Sequence, residues 1–498
     1  MATLLLASAF VIATCGLVYE LIAGTLASYL LGDSVTQFSL IIGFYLFSMG
    51  VGSYLSKFIQ KNELDVFIAI ETLTGVIGGW SATLLFFSFE LVESFRIILF
   101  LIVALIGILV GIEIPLLLRM LKNKFPFDEL IARVFALDYV GALVASVLFP
   151  LVLVPYLGLI RSAQFFGLLN ICVGLWCLYS MRYEVRYPRR QFAVSIVMAL
   201  GLIAGFIGAG QLTDLAEAMS HAPAKVVFSR STSYQKMTVT HHGDEWRLYL
   251  NGNLQFSSRD EYRYHEALVH VGLASLKSPR QVLVLGGGDG MAVREILKYP
   301  SVTNVTLVDL DPAMTRLFSS SSFAMLNDGA LKDSRVKIVN DDAYRWLNQS
   351  AAQFDFIVID FPDPSSFSVG KLFSTHFFER LKKVMSDESL AVIQSSSPLF
   401  AREAYWCVVH TIQASSLWAA PYHSYVPSFG EWGFVLFAKE TRQLEWRLPP
   451  SLRFITPAIT AQMFEFPSDM SEVPTDINRL NNQALVRYFD ANWSEYVH

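Results

Sequence analysis

Long apolar runs fill the first 210 or so residues, and only short polar links separate them. Seven stretches stand out, at roughly 3–30, 36–57, 65–89, 95–118, 130–154, 159–181 and 191–210. About 20 mostly apolar residues are enough to cross a hydrocarbon core as a helix. The pattern therefore predicts an α-helical membrane bundle of about seven spans over residues 1–210. The first run has no basic flank and is too long for the apolar core of a signal peptide, so it reads as a first span. Small residues at Gly16, Gly24, Gly43, Gly50, Gly141 and Ala145 would let such helices approach closely.

The pattern changes after Gln211. Residues 225–258 alternate in the manner of strands, as in Lys225-Val-Val-Phe-Ser and Trp246-Arg-Leu-Tyr-Leu. His241-His242-Gly243-Asp244 reads as one hairpin turn and Asn251-Gly252 as another. Residues 211–258 are thus expected to form a small β domain. Buried strands then alternate with helices: Val282 to Gly286, Val305 to Val308, Val336 to Val339, Phe356 to Ile359, Leu390 to Ile393 and Gly433 to Phe437. This order predicts an α/β, Rossmann-like, doubly wound sheet over 259–445. Residues 446–498 remain as a C-terminal extension whose Phe454, Phe464 and Phe466 need a surface to pack on.

Composition sharpens this division. Hydrophobic residues make up 53% and charged residues 16%, with a mean hydropathy of +0.43; a soluble chain carries about 25% charged residues. The net charge is −5 and no dense basic run occurs, which argues against nucleic acid as a partner. Cys15, Cys172, Cys177 and Cys407 have neither metal-ligand nor disulfide spacing and read as inert buried thiols. Four acids fall inside the spans: Glu20, Glu71, Glu113 and Asp138. Acids there mark either a cation path or interhelical hydrogen bonds.

The link charges are asymmetric. Lys57, Lys61, Arg119, Lys122, Lys124, Arg182, Arg186, Arg189 and Arg190 lie in even-numbered links, against Arg96 and Arg161 in odd ones. The positive-inside rule places the even links and the N-terminus in the cytoplasm. Seven crossings would then put the C-terminal domain outside, away from the cytosolic nucleosides that the strand-end residues described next would bind. A stretch that does not cross would reconcile the two, and the expectation is a multi-pass cell-membrane protein with its catalytic domain in the cytoplasm.

Candidate chemistry sits at the carboxyl ends of the predicted strands, where open α/β sheets bind ligands. Gly286-Gly-Gly-Asp-Gly290 follows the first strand and opens a helix; such a loop lets the backbone approach a nucleotide. Asp309 ends the second strand, 19 residues after Gly290, where an acid accepts ribose hydroxyls. Asp342 follows the third strand, where an acid could take an adenine amino group. Asp289 would repel the methionine carboxylate of S-adenosylmethionine but attract the ammonium of its decarboxylated form. Asp360-Phe-Pro-Asp363-Pro follows the fourth strand. A carboxylate there could take the proton that an amine nucleophile must lose, and a second could help hold a polycation.

These residues carry a resemblance. Ser233-Tyr-Gln-Lys, Leu250-Asn-Gly-Asn-Leu-Gln255, Arg259-Asp-Glu-Tyr-Arg-Tyr-His-Glu266, Gly286 to Gly290, Asp341-Asp-Ala343, Asp360 to Pro364 and Pro427-Ser-Phe-Gly-Glu-Trp-Gly-Phe434 follow one another as in spermidine synthases, the polyamine aminopropyltransferases. The whole chain resembles the multi-spanning branch of that family. The resemblance implies that Gln235, Asp309 and Asp342 contact the thioadenosine, with Gly286, Gly288 and Asp289 in the donor-binding loop. It implies that Tyr264, His265 and Asp289 line the amine and aminopropyl site, that Asp360 is the proton acceptor, and that Asp363 lies beside it.

Three positions depart from the family pattern. Asn251 stands where Asp is usual, and His265 where glutamine also occurs. Phe361-Pro362 replaces a small polar pair and bears on the acceptor amine more than on the reaction.

The implied reaction moves an aminopropyl group from decarboxylated S-adenosylmethionine, as co-substrate, to a primary amine such as putrescine. It gives spermidine and methylthioadenosine, and needs no metal. A homodimer is a candidate assembly. Two alternatives keep the fold: a methyltransferase using S-adenosylmethionine, and a polyamine transporter or sensor with a non-catalytic nucleotide domain.

Overall fold

The computed structural model describes all residues except 1, 32–33, 92–94, 123, 221–222, 233, 321 and 495–498. Ser233, the first residue of one resemblance string, therefore lies outside the described residues. The chain forms two compact units, Met1–Ala224 and Lys225–His498.

The first unit is helical: α1 (Ala2–Leu31), α2 (Ser34–Leu55), α3 (Glu63–Leu91), α4 (Phe95–Leu121), α5 (Phe127–Leu148), α6 (Gly158–Ser180) and α7 (Pro188–Ser220). Helix α7 runs on past Gln211, where the apolar pattern ends. Among the described residues, six helical runs are long and apolar enough to cross a membrane, one of them the 53 residues Asp128–Ser180. A straight helix of that length would measure about 80 Å, more than twice a hydrocarbon core of about 30 Å. This run is not straight. Phe149–Leu157 winds as a π-helix and Gly158 breaks the course at φ 74°, so α5 and α6 are separate rods.

Helix packing follows the small residues, though not all those expected. A Cβ on Gly52 would lie 2.0 Å from the carbonyl oxygen of Ile108, and one on Gly75 2.5 Å from that of Gly167. Only glycine permits backbones so close, and these pairs join α2 to α4 and α3 to α6. Gly16, Gly24 and Gly141 also meet neighbouring helices. Gly43 and Gly50 face open space and join nothing. Of the four cysteines, all free, Cys172 is exposed rather than buried.

The second unit begins with an antiparallel sheet, β1 (Lys225–Ser231), β2 (Lys236–His242), β3 (Glu245–Leu250) and β4 (Asn253–Ser257), in that order. The histidines end β2 and the turn itself is Gly243-Asp244. Asn251 and Gly252 both take positive φ, 51° and 84°, as a two-residue hairpin turn demands. The Asn251 side chain accepts from the Lys236 N–H at 2.9 Å, a role that Asp would fill equally.

After α8 (Glu261–Leu273) comes a seven-stranded sheet. Its members are β5 (Gln281–Gly286), β6 (Asn304–Asp309), β7 (Val336–Asn340), β8 (Phe354–Asp360), β9 (Met385–Gln394), β10 (Trp418–Val426) and β11 (Gly430–Ala438). Between them lie α9 (Met291–Ile296), α10 (Pro312–Ser319), α11 (Ala343–Gln349), α12 (Phe367–Gly370), α13 (Thr375–Val384) and α14 (Arg402–Ala414), with α15 (Pro457–Gln462) and α16 (Ala484–Ser494) following. The strand order is β10-β11-β9-β8-β5-β6-β7. β5 to β9 are parallel, and β11 pairs antiparallel with both β9 and β10. The chain winds out from β5 in both directions, so the switch point lies between β5 and β8.

Core residues cover both sheet faces. On one, Val284, Phe356 and Val392 pack with Met237, Leu248 and Phe256 of the small sheet, so the β1–β4 layer shares this core. On the other, Leu285 and Ile359 pack with Phe377 and Tyr405. The C-terminal extension is tied in at both faces, through Ile455 and Met463 on one and Leu485 on the other. Glu266 fixes its start by accepting the N–H groups of Arg453, Phe454 and Ile455 at 2.7–2.9 Å.

Candidate active site

Strand β5 delivers Gly286 opposite Asp360 of β8. The two backbones nearly touch, since a Cβ on Gly286 (φ 80°) would lie 2.2 Å from the Asp360 carbonyl oxygen. A Cβ on Gly288 would lie 2.6 Å from Asp309 Oδ2, so that glycine leaves room for the carboxylate at the end of β6. The glycine loop thus draws three strand ends together at the switch point.

Asp289 closes the loop, buried, with Oδ1 accepting the Met291 N–H at 2.9 Å. Across the crevice Tyr264 of α8 donates its hydroxyl to Asp360 Oδ1 at 2.6 Å. The Tyr264 ring is held by Phe429 and Phe434. Asp363, three residues on, has an enclosed Oδ1 with no protein partner. Gln394 underpins this corner, donating to the Phe361 carbonyl at 2.5 Å and accepting from Trp432 Nε1 at 3.2 Å. Phe361 packs into the core against Phe373 and Phe377, and its ring lies 3.2 Å from where a Cβ on Gly286 would be. Pro362 beside it is exposed.

The crevice is anionic. Burial lifts Asp360 to about 6, with His265 pulling it down, Asp289 pushing it up and the Tyr264 hydrogen bond lowering it. Burial lifts Asp363 to about 7. Asp309 is raised to about 6, by burial first, despite the Asp311 N–H it accepts. Asp289 is raised by burial, offset in part by His265 and the Met291 N–H. Among the described residues none of Asp289, Asp360 and Asp363 forms a salt bridge with a lysine or arginine.

His265 is tied to Glu261 on the same helix. Burial would lower its pKa, but the Glu261 carboxylate 2.8 Å from Nδ1, with Asp289 and Asp360 nearby, raises it to about 9. The imidazole thus carries its own carboxylate partner beside the acids of the crevice. Arg294 completes this support, reaching Glu261 and Glu295 at 2.9 Å each. The i,i+4 spacing of Glu261 and His265 on a predicted helix was the signal that could have shown the pair.

Gln235 and Asp342, two of the expected nucleoside contacts, also have protein partners. Asp342 caps α11, accepting the Tyr344 N–H at 2.7 Å, and its other oxygen pairs with Lys371 Nζ at 3.2 Å. Gln235 reaches Asp311 Oδ2 at 3.3 Å, and Asp311 also caps α10. Asp341 serves the turn, accepting the Asp342 N–H.

Residues 261–446 match the spermine/spermidine synthase domain. A polyamine aminopropyltransferase of Leptospira interrogans is 52% identical over 504 residues, covering all of both chains. Polyamine aminopropyltransferase 2 of Ralstonia nicotianae is 49% identical over 98% of each chain. Among solved structures, a spermidine synthase in complex with the transition state analogue AdoDATO covers 49% of this chain and 86% of its own, with a TM-score of 0.46 and 21% identity. Since the identity to the curated relatives extends through the helical unit as well as the crevice, the chain belongs to the polyamine aminopropyltransferases, enzymes of the spermidine synthase type, in the branch with an N-terminal set of apolar helices.

Proposed function

We propose that the crevice transfers the aminopropyl group of decarboxylated S-adenosylmethionine to putrescine, giving spermidine and methylthioadenosine. The observation that carries this reading is the set of carboxylates around the glycine loop, Asp289, Asp360 and Asp363, unpaired with lysine or arginine. Such a site repels a donor bearing a carboxylate and attracts one whose chain ends in an ammonium. It suits a second amine as acceptor for the same reason.

The amine lone pair attacks the propyl carbon next to the sulfonium. The carbon–sulfur bond breaks, its electron pair stays on sulfur, and a neutral thioether leaves. The positive charge passes from sulfur to nitrogen within the carboxylate set, and Asp360 takes the proton. A base near 6 is mostly ionised at pH 7 yet still basic enough to act. Asp363 Oδ1 is the oxygen free to hold the acceptor, Asp289 faces the donor ammonium, and Asp309 takes the ribose hydroxyls across Gly288. His265 keeps Asp289 and Asp360 ionised. Gln235 and Asp342 shape the nucleoside pocket through Asp311 and Lys371, and Gly286 and Gly288 give the clearance the donor needs. The helical unit is proposed to sit in the cell membrane with the catalytic unit on the cytoplasmic side.

Asp360→Asn tests the assignment. Turnover should fall by about 10²–10⁴-fold, the usual contribution of a general base. Methylthioadenosine binding should stay near that of the wild type, because the base acts on the amine. Turnover near the wild-type rate would overturn it.

A further inference from the structure

The helical unit has a polar centre that aminopropyl transfer does not use. Glu71 on α3 and Glu113 on α4 are wholly buried. Thr74, one turn beyond Glu71 on the same helix face, donates to Glu113 Oε1 at 3.0 Å. This brings the two acids to neighbouring levels of the bundle. Helix α6 faces α3 here: a Cβ on Gly174 would lie 3.2 Å from Glu71 Cβ, and one on Gly75 3.3 Å from Asn170 Cβ. From α1 the Tyr19 ring packs on Gly78, further along the same helix.

Among the described residues, Glu71 Oε1 and Oε2, Glu113 Oε2, Asn170 Oδ1 and Tyr19 Oη have no hydrogen-bond partner in the protein. Neither acid pairs with a basic residue there. Hydrocarbon offers no partner either. A single proton on either carboxyl would give one hydroxyl donor, enough for one of these oxygens and not for the rest. The unpartnered atoms are all oxygens, four of them acceptors and the fifth a hydroxyl. Oxygen donors around carboxylates are the chemistry of a cation site. The set is smaller than the six to eight oxygens that calcium takes. Glu20 and Asp138, the other acids of the spans, contribute no buried unpartnered oxygen among the described residues.

We propose that Glu71, Glu113, Asn170 and Tyr19 hold a small monovalent cation inside the helical unit, an alkali ion or a primary ammonium head, which share charge and approximate size. The test uses the full-length protein in lipid nanodiscs, with ²²Na⁺ and ¹⁴C-methylammonium as separate probes. Saturable single-site binding of either probe is expected. Glu71→Gln and Glu113→Gln should each weaken it by about tenfold or more, as loss of one buried charge partner does. Glu20→Gln should leave it unchanged. Tyr19→Phe keeps both charges and removes one oxygen, so a weaker but measurable site separates ligand loss from misfolding. No saturable binding of either ion, proton uptake alone, or binding that survives both glutamine variants would overturn the proposal. A sodium-only or methylammonium-only result supports it and identifies the occupant.

Discussion

Tyr264→Phe isolates how the crevice tunes its base. The substitution keeps the ring packed between Phe429 and Phe434 and deletes only the hydroxyl that donates to Asp360 Oδ1 at 2.6 Å. A hydrogen bond to a charged group is worth about 1.5–3 kcal/mol, and about 1.36 kcal/mol corresponds to one pKa unit. The bond stabilises the ionised carboxylate, so its loss moves Asp360 upward, from about 6 into the range of about 7–8. At pH 7 a base of pKa about 6 is roughly nine-tenths ionised, and one of about 8 only a tenth. The variant should therefore lose up to about tenfold in kcat/KM at pH 7 and recover above about pH 9. The assay is the pH profile of the ratio of variant to wild-type kcat/KM, which cancels the titration of the amine substrate itself. A ratio that stays flat with pH would refute the reasoning, since it would mean that Tyr264 positions substrate without acting on the base.

Asp289→Asn should weaken the decarboxylated donor far more than methylthioadenosine, which lacks the ammonium; equal losses in direct binding would assign Asp289 to the loop fold instead. Arg294→Met should destabilise the catalytic unit by about 1.5–3 kcal/mol in urea unfolding, because it removes the partner shared by buried Glu261 and Glu295 but leaves His265 with the first and His270 and Lys298 with the second; an unchanged midpoint would show that the network is dispensable. In a Cys172→Ser background, needed because Cys172 is exposed, cysteines at Arg186 and Lys332 should both label from the cytoplasmic side. Labelling of position 332 from outside only would overturn the proposed orientation.

Much of this protein was legible in its sequence because the signals are local. A hydrocarbon core demands long apolar runs, and all seven became helices, although the fifth and sixth are joined through a π-helical turn at Phe149–Leu157 that hydropathy does not register. Period-two alternation gave the small sheet, and the strand–glycine–helix succession gave the crevice at Gly286. The edge strand β10 was missed: it pairs only with β11, and its Pro421 and part-buried residues lack the apolar run of a central strand. What the tertiary structure alone decided was which partner each polar group finds. An Asp between a strand and a helix is equally suited to cap the helix or to hold a nucleoside, and at Asp311 and Asp342 the fold supplies Gln235 and Lys371 as well as the caps. His265 was paired with Glu261, and brought beside Asp289 and Asp360, only by the packing of the fold, which raises its pKa. Glu71 and Glu113, 42 positions apart in sequence, became neighbours only when α3 packed on α4. Charge state and partnership depend on distances through space and on burial, which no pattern along the chain records.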